Sequence, residues 1–174
     1  MVQWLLAIPH FIVLYVLGVV SGVVGFISWV IILFTGKLPP GLAGFQSLYL
    51  RYTERTDAYA GFLFEEYPPF GFDATPADPH DLEPVLVDFQ PELDDRNRLT
   101  TFFRWVLAIP HYIVLAVLSL VAAVAWIIAF FAVLFTGRWP AGLRDFVVGY
   151  VRWSVRVSAY SLLLTDQYPP FSLE

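Results

Sequence analysis

The chain has 174 residues, of which 58% are hydrophobic and 14% charged; mean hydropathy is +0.66 and the formal net charge is −5. Soluble domains run at about 45–50% apolar and about 25% charged, so the composition points to a membrane protein. The acidic balance speaks against a nucleic-acid partner, which wants a clustered basic surface, and the absence of cysteine excludes disulfides, thiolate nucleophiles and cysteine metal sites.

The first element is a charge-free block over residues 4–34. Apolar runs of about 18 or more residues read as transmembrane helices. A signal peptide is a poor match, because the block exceeds an h-region of about 7–15 residues and lacks a basic n-region. Pro9 suits the first helical position, where no N–H is needed, and sets the expected start of the span. Thr35-Gly36 should end it, with glycine in the left-handed conformation, and Lys37 should mark the membrane surface. Gly18, Ser21, Gly22 and Gly25 form a small-residue row that permits close helix approach. A second helix is expected over 42–65, carrying Arg51, Glu54, Arg55 and Asp57. The Tyr67-Pro-Pro-Phe segment should stop it, since proline breaks a helix.

The connection that follows is acidic and proline-rich, with no Lys or Arg over 56–95. Residues 85–89, Val-Leu-Val-Asp-Phe, could make a short strand. Asp94 or Asp95 fits an N-cap for a helix leading through Arg104 into a second apolar block over 105–135. Only three residues precede Trp4, so the first block lacks such a lead-in; the first unit reads as trimmed or as missing its N-terminal part.

The second block begins a copy of everything before the linker. WLLAIPH at Trp4 returns as WVLAIPH at Trp105, LFTGKLPPGL as LFTGRWPAGL, and YPPF at Tyr67 as YPPF at Tyr168, all at one offset of 101 residues (105 − 4, 168 − 67). An internal copy cannot be a cleaved leader, so the repeat removes the signal-peptide reading. Three segments follow: a first membrane repeat (1–72), an acidic linker (73–95) and a second repeat (96–174). The fold class is an all-α integral membrane protein built by tandem duplication. Each unit is a long transmembrane helix from its proline (Pro9, Pro110), then an Arg-bearing amphipathic helix (42–65, 143–166).

Whether that second helix spans stays open. If it spans, its arginines lie in hydrocarbon at a cost of about 2.5–3.5 kcal/mol each unless paired; the repeats then share one orientation. If it lies in the interface, the arginines meet phosphates and the repeats are inverted. Basic residues near the two membrane faces are too balanced to decide.

The residues kept in both copies are the candidates. Arg51/Arg55 and Arg152/Arg156, four apart on one helix face, could grip a lipid phosphate; snorkelling or an internal ion pair is the plain alternative. His10 and His111 follow proline and could titrate or bind metal. Hydrogen bonding that orients the helix entry is the better reading, because a metal site needs more ligands than His80 alone could add. Lys37 and Arg138 mark the helix ends, and Tyr67 and Tyr168 anchor at the interface. No phosphate loop, nucleophile elbow or HExxH is present, so neither enzyme activity, cofactor nor metal is expected.

W-x-L-A-I-P-H, L-F-T-G-[K/R]-x-P-x-G-L, R-x-x-x-R and Y-P-P-F together resemble a bacterial membrane family catalogued as domain of unknown function 4389, once per unit. The resemblance implies a bacterial cytoplasmic-membrane location and supplies no activity. The leading expectation is a membrane scaffold or accessory subunit, packing on itself or on a larger membrane complex. The alternative is a transport or anionic-lipid-handling module working through the paired arginines.

Overall fold

The computed structural model describes residues 3–77, 87 and 90–173, and among them it contains four α-helices and no strand. They are α1 (Gln3–Thr35), α2 (Pro40–Ala60), α3 (Arg98–Thr136) and α4 (Ala141–Ser161). The strand expected over 85–89 falls outside the described residues except for Val87, and His80 lies outside them too. α1 and α3 are long and apolar enough to cross a membrane, at ~50 and ~58 Å for a rise of 1.5 Å per residue.

Three boundaries differ from the sequence expectation, each for a local reason. Pro9 and Pro110 do not start their helices but lie inside them. Each proline removes one helical hydrogen bond, and the turns before it are held from outside the helix. Gln3 Nε2 donates to the Phe64 carbonyl at 2.9 Å and Trp4 Nε1 to the Ala60 carbonyl at 2.7 Å; Arg104 Nη1 donates to the Tyr160 carbonyl at 2.8 Å. The cap of α3 is Asn97, not Asp94 or Asp95: its side-chain oxygen accepts from the N–H groups of Leu99 and Thr100 at 3.0 and 3.1 Å, as an N-cap should. Finally, α2 and α4 end before the YPPF segments, at Ala60 and Ser161. Phe62 (φ 59°) and Leu163 (φ 66°) turn left-handed there. Leu63 and Leu164 then donate back to the Ala58 and Ala159 carbonyls at 3.0 Å, which is a Schellman closure at a non-glycine residue.

The Thr-Gly expectation holds in both copies. Gly36 and Gly137 are left-handed at φ 70° and 69° and donate to the Ile32 and Val133 carbonyls at 2.8 and 2.9 Å. Thr35 and Thr136 hydroxyls bond back to Ile31 and Ala132, and they accept the N–H of Lys37 and Arg138.

Contact pairs give the topology. Along α1, Trp4 meets Ala60, Gly18 meets Tyr49 and Ser21 meets Gln46. Numbers rise on one helix as they fall on the other, so α2 runs back along α1. Arg104 with Tyr160 and His111 with Trp153 make α3 and α4 a second such hairpin. Between hairpins, Trp29 stacks on Trp105 at 5.7 Å while Trp4 stacks on Phe130 at 6.1 Å, so α1 and α3 are antiparallel as well. α1 neighbours α2 and α3, and α4 neighbours the same two, which closes a four-helix bundle with every adjacent pair antiparallel. The two repeats are thus related by a two-fold axis perpendicular to the helices.

Two faces of this bundle differ sharply. On the inner side α1 buries Ala7, His10, Ser21, Ser28 and Ile32. Its outer side exposes Ile12, Tyr15, Val19, Val23 and Phe26, and α3 likewise exposes Ile113, Val117, Leu120, Val124 and Ile127. The α1/α3 side is therefore a broad apolar surface, whereas α2 carries the polar and charged groups and is largely buried. Three of the four small residues of α1 face α2: Ser21 and Gly25 pack on Gln46, and Gly18 packs on Tyr49, while Gly22 is exposed.

Candidate functional site

The conserved pieces of the two copies find each other in space. YPPF folds back onto the Pro-His turn of its own repeat. His10 stacks on Phe70 (centroids 4.2 Å, 10° between planes) with Tyr67 at 4.9 Å. His111 stacks on Phe171 (3.9 Å, 16°) with Tyr168 at 4.8 Å. Both imidazoles are fully buried. Trp153 Nε1 lies 3.3 Å from His111 Nδ1. An indole nitrogen only donates, so His111 Nδ1 accepts and the ring is the neutral Nε2–H tautomer. Tyr52 Oη takes the same place against His10 Nδ1 at 2.6 Å. The histidines thus lock each tail to its helix, through side chains on the neighbouring helix. Tyr168 also donates to the Leu107 carbonyl at 3.2 Å.

The paired arginines do different work in the two copies. Arg51, buried, donates to the carbonyls of Asp73, Thr75 and Ala77 at 2.7–3.1 Å and clamps the chain that leaves the first repeat. Arg55 is buried as well. In the second copy Arg156 Nη2 donates to the Ser172 carbonyl, and Arg152 is exposed. Lys37 pairs with Asp94 at 3.0 Å, and Arg138 stands exposed.

The sequence reading missed a buried charge cluster within the second repeat, at its joint with the first. Arg96 Nε and Nη2 donate to Asp166 Oδ1 at 2.9 and 2.6 Å; Arg104 Nη2 reaches the same oxygen, and the Asn97 N–H reaches Oδ2 at 2.7 Å. Burial pushes the Asp166 pKa up, but the Arg96 and Asn97 hydrogen bonds and the two guanidiniums hold it below the usual carboxylate value. Glu92 accepts from Asp166 N–H at 2.8 Å and Thr165 at 3.0 Å. The same stretch ties to the other hairpin, where the Arg96 N–H donates to the Gly36 carbonyl at 2.9 Å and the Leu38 N–H to the Leu93 carbonyl at 2.7 Å. The density of Arg and Asp around 92–104 was the available signal.

Two clefts open beside α4 and α2. The first, about 810 Å³, is lined along one face of α4 by Arg144, Val148, Val151, Arg152, Val155 and Arg156. The second, about 740 Å³, has Glu54 and Asp57 of α2 on one wall and Trp126, Phe130 and Phe131 of α3 on another, with Tyr150 from α4. Glu54 lines both. Burial, then the neighbouring Asp57 charge, push its pKa up to about 8; burial lifts Asp57 to about 6. A cleft of this size that mixes apolar walls with a few polar groups is the usual shape of a small-molecule site.

No curated protein and no solved structure matches this chain. The sequence profile of Domain of unknown function (DUF4389) matches residues 1–71 and again 98–172. These two matches coincide with the two hairpins and take in both Pro-His/YPPF locks, and the chain therefore belongs to the DUF4389 family as two tandem copies.

Proposed function

We propose that this chain is a non-enzymatic bacterial membrane protein that lies in the cytoplasmic membrane on its α1/α3 face and gathers anionic lipid in the α2/α4 cleft. The carrying observation is the first cleft: three arginines of α4 on a wall of valines, which suits a phosphate headgroup with apolar chain beside it. The apolar outer surface of α1 and α3 supplies the membrane contact.

The two-fold axis favours an in-plane arrangement over a crossing one. Were the helices to cross, the antiparallel α1 and α3 would make the repeats inverted, not alike in orientation as expected for spanning second helices, and the chain would have to return through the bilayer between Ala60 and Arg98, because α1 ends beside the start of α3. Extended backbone in hydrocarbon leaves polar groups unsatisfied unless protein covers it. Laid flat, both repeats meet one leaflet through the same face, and the α2/α4 side is turned to water. The crossing arrangement is the second reading, and the length of α1 and α3 favours it. A scaffold or accessory subunit is a further reading, favoured by Gly22, where an added Cβ would meet nothing within 4 Å. The rest of that small-residue row is occupied within the hairpin.

Single cysteines at Lys37 and Arg138 separate the arrangements, since these residues end antiparallel helices. An impermeant thiol reagent should label both in broken cells and neither in intact ones; labelling of one alone in intact cells would establish crossing. The lipid reading is tested by Arg144→Gln with Arg152→Gln. Both residues are exposed, and native mass spectrometry should show loss of co-purifying phosphatidylglycerol with the helical content intact. Unchanged lipid content would reject it.

A further inference from the structure

The second cleft is chemically the opposite of the first. Its charged residues are both acids, Glu54 and Asp57, one turn apart on the same face of α2. Glu54 is only 8% exposed, yet it forms no hydrogen bond or ion pair with any described residue. A buried carboxylate without a partner is costly, and this one opens into a cavity rather than into packed protein. The other walls are aromatic or aliphatic. Trp4, Phe62 and Phe130 form one ring cluster with centroids 5.8–6.1 Å apart, and Trp126 is seated on Gly61, donating to its carbonyl at 3.1 Å. Calcium or magnesium would need six or more oxygen ligands and zinc four, and among the described residues no group of three acidic or metal-ligating side chains exists here. Aromatic faces beside carboxylates instead suit a cation that carries its own apolar groups.

We propose that this cleft binds an organic ammonium ion, with Glu54 and Asp57 supplying the negative charge and the Trp4, Trp126 and Phe130 rings the walls. The second repeat cannot duplicate the site, because Val155 and Ser158 stand where Glu54 and Asp57 stand in the first (54 + 101, 57 + 101). The ammonium group belongs either to a free solute or to a lipid headgroup. Binding requires an ionised Glu54, so affinity rises with pH. Among the described residues, the other titratable or charged groups around it are Asp57 on α2, Tyr150 on α4, and Arg144, Arg152, Arg156, Glu92 and Tyr168 across the first cleft; α3 contributes none to the cavity wall.

The test uses the full chain in detergent and benzyltrimethylammonium, read by quenching of tryptophan fluorescence. Saturable quenching is expected, weakened about tenfold or more by Glu54→Gln or Asp57→Asn, a loss of the size one contact between charged groups supplies. Wild-type affinity should be at least about tenfold tighter near pH 9 than near pH 6, which follows from a carboxyl titrating between them. That comparison needs no variant. A flat pH response, or equal competition by the uncharged isostere neopentylbenzene, would reduce the cleft to an apolar groove and overturn the proposal. In nanodiscs, competition by phosphatidylethanolamine but not phosphatidylglycerol assigns the group to a headgroup; binding undiminished by either assigns it to a solute.

Discussion

The two repeats share a skeleton and differ in their charges. Each holds its tail by stacking a buried histidine on the YPPF phenylalanine, and each ends its long helix at a left-handed glycine. Yet the first repeat keeps two acids facing a cavity where the second has Val155 and Ser158. The second repeat keeps an Arg96–Asp166–Arg104 cluster where the first offers Gln3 and Glu65. What was retained in both is what closes the hairpin. What diverged sits at the clefts and at the joint between hairpins, where two copies related by a two-fold axis need not carry the same chemistry.

The largest effect should come from Asp166→Asn. It leaves two buried guanidiniums without their shared anion, and breaking a buried pair costs about 3–5 kcal/mol. Its counterpart Glu65→Gln, at an exposed position, should stay within about 0.5 kcal/mol. Thermal unfolding in detergent measures both, and equal losses would show that the repeats are locked alike. Next in size is a pH effect confined to the first repeat. Glu54 rises from an ordinary 4.5 to about 8 on folding. The folded state therefore holds its proton more tightly, and this contribution is full below about pH 4.5 and lost as pH rises through about 8. Glu54→Gln should accordingly stabilise the protein by a few kcal/mol near pH 9 and by little near pH 4. The reverse trend in denaturation midpoints would contradict the burial of that carboxyl.

The smallest effect sharpens the comparison. Gly36→Ala and Gly137→Ala both place a side chain at positive φ, for about 1–2 kcal/mol each. At Gly36 the new Cβ would also lie 3.4 Å from Arg98 Nε, while at Gly137 it meets nothing within 4 Å. The Arg98 contact is an ordinary one with a flexible side chain, so the two should cost about the same in the same unfolding assay.

The helix count, the duplication and the Thr-Gly ends were legible in the sequence, because each rests on local chemistry or on self-comparison. The misplaced boundaries share one cause: contacts distant in sequence override a local signal. Pro9 reads as a helix start until Trp4, bonded to the end of α2, and Gln3, bonded to Phe64 just past it, hold the preceding turn. YPPF reads as a terminator until the chain closes earlier at Phe62 and Leu163. Arg51 reads equally well as a headgroup ligand or an internal partner, because a sequence does not reveal that it grips carbonyls more than twenty residues ahead. The acid-bearing cleft could not be foreseen, since it needs α2, α3 and α4 together.

The notches under the two tails carry a consequence of their own. In the first repeat the departing chain passes over Gly44, whose added Cβ would come within 3.0 Å of Ala74; in the second the tail passes over Gly149, crowded in the same way by Leu173. Subtracting the repeat offset puts Gly149 at position 48, four residues past Gly44 (149 − 101 = 48, 48 − 44 = 4), or about one helical turn. The latch has slipped along the helix while the hinge stayed in place. The halves are therefore no longer interchangeable parts: a chimaera that carried the first tail onto α4 would run its backbone into Asp145, the residue that stands where Gly44 makes room.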